Sequence, residues 1–391
     1  LTLNTGSSSL KFGLYRAVPE PGMLFRGSVD GIGGAARLVI HRNGGTTEHS
    51  VQSATPGAAL DAVMGVLADD FDMTEISGVG HRIVHGGPHY DAPQVLTRKL
   101  LCELEQFNPL APLHQPHNLA GVQVTGDKFP KAVQVGCFDT AFHRSHPWVN
   151  DTFALPRRFY DEGIRRYGFH GLSYEYVTGE IARSYPELYH GRMVIAHLGN
   201  GASMCAVKQG KSVGSTMGFS ALDGLPMGTR SGQIDPGAVL YLIEQKGMQP
   251  KEVTRLLYND SGLLGLSGFS GDMRTLQASK TPEAEQAIDY YVFRARREIG
   301  AMTAVLGGID GLVFCGGIGE NSALIRQRIV EDLEYLGLCI DPGKNRMNAS
   351  EIGTGSTRIM IIPTDEERII ARATYAALRR DVPAAADVSA A

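Results

Sequence analysis

Short apolar runs closed by glycine set the rhythm of this 391-residue chain. Val133–Phe138, Met193–Ala196 and Leu312–Cys315 are of this kind, and they read as strands buried on both faces of a sheet. Helical spacing lies elsewhere. Leu60, Val63, Met64 and Leu67 fall at i, i+3, i+4 and i+7, and Ile288, Tyr291, Val292, Ala295, Ile299 and Met302 extend the same stripe over a longer span. A third helix is predicted to start at Asn321 or Ser322 and to stop at Gly337, a natural residue just past a helix end. Strands mixed with helices predict an α/β protein.

Two segments echo one another half a chain apart. Leu3–Lys11 and Leu198–Ser203 are both strand–turn–strand units with Gly, Asn and Ser at the turn. Hairpins demand such residues in any case; taken as a true repeat, the echo predicts a duplicated α/β domain with one phosphate-handling turn in each half. The best candidate for a membrane span, Gly300–Gly319, holds Asp310 and seven glycines, and reads instead as a helix end followed by a buried strand. Gly, Ser and Lys interrupt Leu1–Tyr15 where a signal peptide needs an unbroken apolar stretch. A cytoplasmic protein is expected, with a frayed alanine-rich tail from Val382 to Ala391.

Composition narrows the classes further. The length suggests two domains, and 37 Lys+Arg against 41 Asp+Glu give a net charge of −4 with no basic block. That balance argues against nucleic acid and against an anionic membrane surface as partner. Cys102, Cys137, Cys205, Cys315 and Cys339 are scattered, with no C-x-x-C, and read as reduced thiols that mostly fill core.

The polar chemistry collects in glycine-rich turns. Asn4-Thr-Gly-Ser-Ser-Ser-Leu-Lys11 offers a close backbone approach at Gly6, hydroxyl donors and a cation, although a polar turn without ligand accounts for it equally well. Arg82 in His81-Arg-Ile-Val-His-Gly-Gly87 is either a bidentate grip for an anion or a surface arginine beside a turn. Asp139 follows a buried strand, where α/β proteins keep reactive groups. His170 and Arg230 sit between glycines, and Gly316-Gly-Ile-Gly-Glu-Asn321 opens a helix after a strand. In Pro363-Thr-Asp-Glu-Glu367, Thr364 and Glu367 are spaced as a capping box, which leaves Glu366 for a metal or its water, or simply for solvent. Together these groups fit a site that handles several negative charges. The set does not resemble a Ser–His–Asp relay, for no strand–G-x-S-x-G–helix elbow exists.

Taken in order, ten segments resemble the acetate kinase family of acid-sugar-kinase-fold phosphotransferases. They are Asn4–Lys11, His81–Gly87, Pro112–His114, Phe138–His143, Arg166–Gly171, His197–Ser203, Met227–Pro236, Ser261–Gly265 with Asp272–Arg274, Gly317–Asn321 and Pro363–Glu367. The resemblance implies two duplicated actin-like (ribonuclease H-like) α/β domains with an active-site cleft between them. Residues 1–139 plus 368–391 would form the first domain, and 140–367 the second, which would carry most nucleotide contacts. It implies ATP-dependent phosphorylation of acetate to acetyl phosphate, reversible and by direct in-line transfer, in a homodimer.

The resemblance also assigns roles. Asn4 and Glu366 match the magnesium (or manganese) positions. Lys11, His197, Leu198, Gly199, Asn200, Gly201, Asp272, Met273, Arg274, Gly317, Ile318, Gly319, Glu320 and Asn321 match nucleotide contacts for ATP or ADP, and Ser7, Ser9 and His114 match further polar positions. Arg82 is similar to the arginine that holds the carboxylate substrate. Asp139, His170 and Arg230 match the catalytic acid and the transition-state stabilisers, with Asp139 expected to orient an arginine more than to carry a proton. Val84, Leu113, Phe169 and Ala221 match the acyl pocket. The chain departs from the family pattern at Gln115, where Asn is usual, at Leu172 and Tyr174 in place of Thr and His, and at Ala221 in place of a proline. A smaller residue at 221 makes propionate a plausible good substrate beside acetate. Rival readings are a propionate or butyrate kinase, and a non-catalytic ATP-binding switch on the same fold.

Overall fold

The computed structural model describes residues 1–6, 9–42, 45–53, 55–68, 70–112 and 114–380; Ser7, Leu113 and the tail from Val382 lie outside the described residues. The chain divides into two units. One takes Leu1–Ala141 and the chain from Asp365 on, and the other takes Phe142–Thr364.

The first unit is built on an eight-stranded sheet: β1 Thr2–Thr5, β2 Ser9–Tyr15, β3 Met23–Asp30, β4 Gly34–Arg42, β5 Gly45–Ser53, β6 Gly78–Ile83, β7 Gln94–Val95 and β8 Val133–Phe138. Their order is β5-β4-β3-β2-β1-β6-β8-β7. The β1–β2 hairpin is antiparallel, whereas β6 runs parallel to both β1 and β8. Leu60, Val63 and Leu67 of the helix Pro56–Leu67 pack against Phe12, Phe25, Val29, Leu38 and Ile40 in one apolar core. Thr55 caps that helix by accepting from the Ala58 N–H.

The second unit carries β9 Arg192–Leu198, β10 Ala202–Lys208, β11 Lys211–Ser215, β12 Gly311–Cys315 and β13 Arg358–Ile361, in the order β11-β10-β9-β12-β13. This sequence of strands repeats β3-β2-β1-β6-β8, with the same antiparallel hairpin and the same parallel neighbours. The hairpin echo read from Leu3–Lys11 and Leu198–Ser203 is therefore a repeat of the whole sheet core. Helix Pro282–Leu306 buries Ile288, Tyr291, Val292, Ala295, Ile299 and Met302. It begins at the Thr281 cap and ends at Gly307, whose φ of 71° is the left-handed stop that glycine accommodates. Among the described residues no helix is long and apolar enough to cross a membrane. Cys137, Cys205 and Cys315 are buried, and Cys102 is exposed.

Two local expectations are corrected. The helix after Asn321 does not run to Gly337. Ser322 caps a helix Ala323–Val330, and Asp332, at φ 67°, turns the chain before a single 3-10 turn closes at Gly337. Nor does Thr364 cap the last helix, Glu366–Arg379. Asp365 does, accepting from the Arg368 N–H at 3.1 Å, because Thr364 is already bonded to Ser173.

That last helix lies on β6, and the strand makes room for it with glycine. A Cβ on Gly80 would stand 2.2 Å from Thr374 Oγ1 and 2.4 Å from Ile370 Cγ2. The substitution Gly80→Val is therefore expected to cost roughly 1–3 kcal/mol of stability as overpacking. Urea unfolding should show the midpoint shift, and an unchanged midpoint would mean that the helix does not rest on this strand.

Candidate active site

In the first unit, parallel pairing sets Arg82 beside Cys137 and Ile83 beside Phe138, so the ends of β6 and β8 emerge together. Asp139 is the next residue, anchored by its N–H on the Ile83 carbonyl at 3.0 Å and only 1% exposed. Its carboxylate takes Arg82 Nε on one oxygen at 2.9 Å and Nη2 on the other at 2.6 Å. Arg82 Nη1 faces Glu366 at 3.6 Å, in the first turn of the last helix. Burial works against the guanidinium's charge, but Asp139 and Glu366 more than offset it and hold Arg82 above its ordinary pKa. Burial, and then the charge of Glu366, push Glu367 above the usual carboxylate range, while Lys11 opposes the shift.

Lys11 is exposed on β2, and Ser9 and Asn4 are half-buried on the same hairpin, where Ser9 accepts the Gly6 N–H at 2.8 Å. Val84 is buried, and its N–H is held by Asn118 Oδ1 while Asn118 Nδ2 donates to the Thr5 carbonyl. One amide thus ties the hairpin turn to the segment after Arg82. Gln115 grips both the N–H and the carbonyl of His85, with His114 half-buried ahead of it at the start of helix Gln115–Lys128. Asn118 had no sequence signal beyond being a polar residue in an apolar helix face.

The second unit gathers the other candidates. Gly199, Asn200, Asp272, Met273, Arg274, Gly317, Ile318 and Asn321 line one cavity of about 820 Å³. Gly271, Gln277, Ala278, Ser322, Ala323 and Leu324 complete its wall, none of them singled out by motif. The β9–β10 turn is held by a Gly199 N–H to Gly201 carbonyl bond of 3.0 Å. Gly316, at φ 75°, begins the helix Gly316–Asn321 so close to β9 that a Cβ would stand 2.8 Å from the Leu198 carbonyl oxygen.

Leu198, buried in β9, and Gly319, buried in that short helix, do not line the cavity. Glu320 accepts the N–H groups of Gly316 and Thr364 on one oxygen, at 2.8 and 3.1 Å. It braces the loop backbone. Asp272 caps helix Met273–Ala278 and pairs with Arg274, whose hydrogen bond draws the carboxyl down to about 2.

His170 stands at φ 58°, a left-handed conformation that costs a non-glycine residue energy and persists only where the surroundings impose it. Its Nδ1 meets Ser203 Oγ at 2.9 Å, and its ring stacks on His197 with centroids 4.3 Å apart. A Cβ on Gly201 would lie 3.3 Å from His170 Nε2 and 4.0 Å from Arg230 Nη1, so imidazole and guanidinium approach the same glycine. Arg230 Nη1 also donates to the half-buried Ala221 at its carbonyl, 3.0 Å away. His197 is bonded at Nδ1 to Ser173, which donates to Thr364.

Behind this turn lies a buried group to which the sequence analysis gave no role. His143 Nε2 donates to the carbonyl of the buried Phe169 at 2.9 Å, which fixes that nitrogen as N–H. Its Nδ1 and His146 Nε2 both bond Ser212 Oγ. Burial lowers His143 to about 4 and His146 to about 2, so both stay neutral. Either value is below the 6.5 of an unfolded imidazole, so on acidification the unfolded chain takes up protons first. Stability is full above pH 6.5 and declines below it, by about 1.4 kcal/mol per pH unit for each imidazole, until His143 titrates near pH 4. Urea unfolding across this window should show a shallower decline for His143→Gln, which keeps an N–H for Phe169. Equal slopes would contradict the assignment.

No cluster of three or more His, Cys, Asp or Glu among the described residues holds a metal by itself. Magnesium needs only one or two protein oxygens, the rest coming from water and phosphate. Glu366, beside a protonation-prone Glu367, is a carboxylate of that kind.

The comparisons with known proteins agree with one another. A sequence profile of the acetokinase family matches residues 1–372. An acetate kinase of Methylocella silvestris is 52% identical, over 97% of this chain and 97% of that protein. The crystal structure of Porphyromonas gingivalis acetate kinase is similar at a TM-score of 0.88 and 36% identity, over 97% of this chain and 99% of that one. A propionate kinase from Francisella tularensis is similar at a TM-score of 0.91 and 35% identity, over 96% and 98%. With the repeated sheet, the glycine-lined cavity and the Arg82–Asp139 pair in place, the match runs through every segment that carried the sequence resemblance, and this chain belongs to the acetokinase family.

Proposed function

We propose that this protein transfers the γ-phosphoryl group of ATP to acetate, reversibly, giving acetyl phosphate and ADP. The observation that carries the reading is the cavity of about 820 Å³ walled by the Gly199–Asn200 turn and by the helix Gly316–Asn321. Its glycines let backbone N–H groups approach phosphate oxygens, and Met273, Ile318 and Leu324 offer an apolar wall for a base.

Acetate, with a carboxyl pKa near that of Glu at ~4.3, is already ionised at pH 7. It needs no general base. The barrier is repulsion between two anions, so positioning and positive charge carry the rate. Arg82 binds the acetate carboxylate, and Asp139, with both oxygens engaged by that guanidinium, orients it and carries no proton. Lys11, His170 and Arg230 meet the charge that develops on the transferring group, in direct in-line displacement. Asn4 and Glu366 would hold magnesium, which supplies charge neutralisation at the phosphate oxygens. Val84, Phe169 and Ala221 bound the methyl group of acetate.

A second reading, propionate as the preferred acid, draws on Ala221, where the family commonly has proline. One methylene is worth about 1–3 kcal/mol of discrimination. Hydroxylamine trapping of the acyl phosphate with acetate, propionate and butyrate decides between them, with the highest kcat/KM expected for acetate. A butyrate optimum would overturn the reading, and no hydroxamate from any acid while ATP still binds would favour a nucleotide switch. In the same assay Arg82→Ala should raise KM for acetate at least tenfold and KM for ATP little; the reverse pattern would remove Arg82 from the acceptor site.

A homodimer is part of the same proposal. Helix Pro236–Glu244 reads Ala-Val-Leu-Tyr-Leu-Ile along its middle, yet buries none of its residues, and Leu240 and Tyr241 are 55% and 54% exposed. Phe293, on helix Pro282–Leu306, is 59% exposed. Such apolar exposure on helices marks a covered face. Sedimentation should give a dimer for the wild type and a folded monomer for Leu240→Glu with Phe293→Glu; a dimer unaffected by both changes would place the contact elsewhere.

A further inference from the structure

The sequence motif at His170 departs from the family pattern four residues later, at Tyr174, and the departure lies in a chain of hydroxyls that ends on the imidazole. Tyr174 is fully buried in helix Gly171–Ser184, and its Oη lies 2.5 Å from Ser203 Oγ. Ser203, buried in β10, lies 2.9 Å from His170 Nδ1. Burial raises Tyr174 well above the usual tyrosine pKa, so its proton stays on.

We propose that Ser203 and Tyr174 are positioning residues that hold His170 as the neutral Nε2–H tautomer, presenting that N–H beside Gly201 and Arg230. The proposal rests on reading His170 as the imidazole that meets the transferring phosphoryl group.

Hydrogen accounting gives the direction. If Tyr174 donates to Ser203 and Ser203 donates to His170 Nδ1, each hydroxyl proton has an acceptor. If Nδ1 carried a proton and donated to Ser203, the Tyr174–Ser203 pair would hold two hydroxyl protons with one acceptor between them, a costly state for buried hydroxyls. The lone pair of Nδ1 is thereby consumed, and the proton of the neutral ring sits on Nε2.

Charges around the ring favour the same state. Arg230, always cationic, approaches Gly201 from the Met227–Gly232 loop as His170 Nε2 does, and a second cation there is disfavoured. His197, from β9, stacks on the ring at 4.3 Å, so the two imidazoles resist being charged together. His170 on this account serves as a directed hydrogen-bond donor, and Arg230 supplies the full charge.

The test is a long-range proton–nitrogen correlation spectrum of the full-length protein labelled with ¹⁵N-histidine, with His170 assigned from His170→Gln. At neutral pH the wild type should show an unprotonated Nδ1 and a protonated Nε2. The double variant Ser203→Ala, Tyr174→Phe should lose that pattern, raise the apparent pKa of His170 by about one unit and move the acid limb of kcat to higher pH by the same amount. Ser203→Thr, which keeps the hydroxyl, should retain the wild-type spectrum. A protonated Nδ1 in the wild type, or a double variant with unchanged spectrum and pH profile, would overturn the proposal. Wild-type turnover by His170→Gln would instead undo the role of His170 in the reaction, and the spectrum would still report the tautomer.

Discussion

A carboxylate taken out of water must find a cation or lose its charge, and Asp139 is almost wholly out of water. Its answer is Arg82, and the parallel register of β6 against β8 is what brings the two side by side. Breaking one member of such a pair costs about 3–5 kcal/mol, because the other is left buried and uncompensated. The arginine is consequently fixed along one edge and turned toward Glu366 along the other. A freely rotating guanidinium has many orientations; this one has one.

The second unit meets the same electrostatic problem with fewer formal charges. Its cavity is lined by Gly199 and Gly317 and by Asp272, whose oxygens are already committed to Arg274 and to its own helix start. Glu320, in the same short helix as Gly317, is spent on two backbone N–H groups of the chain itself. The strain at His170 is sustained in a comparable way, by His143 on the preceding carbonyl and Ser203 on the ring.

Much of this was legible in the chain. The buried runs at Val133, Met193 and Leu312 are strands, the long stripe from Ile288 to Met302 is a helix face, and the hairpin echo is a duplication of the sheet core. These are signals of period and of glycine at turns, which local sterics impose. Two local readings failed: Thr364 accepts the Ser173 hydroxyl, so Asp365 became the cap, and the chain leaves helical geometry at Glu331, ψ 135°, where spacing alone would have continued the helix. Gln277, Leu324 and Asn118 were invisible because nothing in their neighbourhood along the chain distinguishes a wall or a brace from an ordinary helix residue. His143 and Ser203 close two of the recognised segments, but their roles were not legible because their partners lie 26 and 33 residues away.

The first unit is discontinuous, and this has a consequence for biogenesis. Its sheet is translated first, but the helix that covers Gly80 and brings Glu366 to Arg82 is translated after the whole second unit. At ~5–20 residues per second, the ribosome needs on the order of 10–45 s to supply that helix. During that interval β6 waits with one face bare while the inserted unit has every residue it requires. The nascent chain thus completes itself from the inside out, and the Arg82–Glu366 contact is among the last to be assembled.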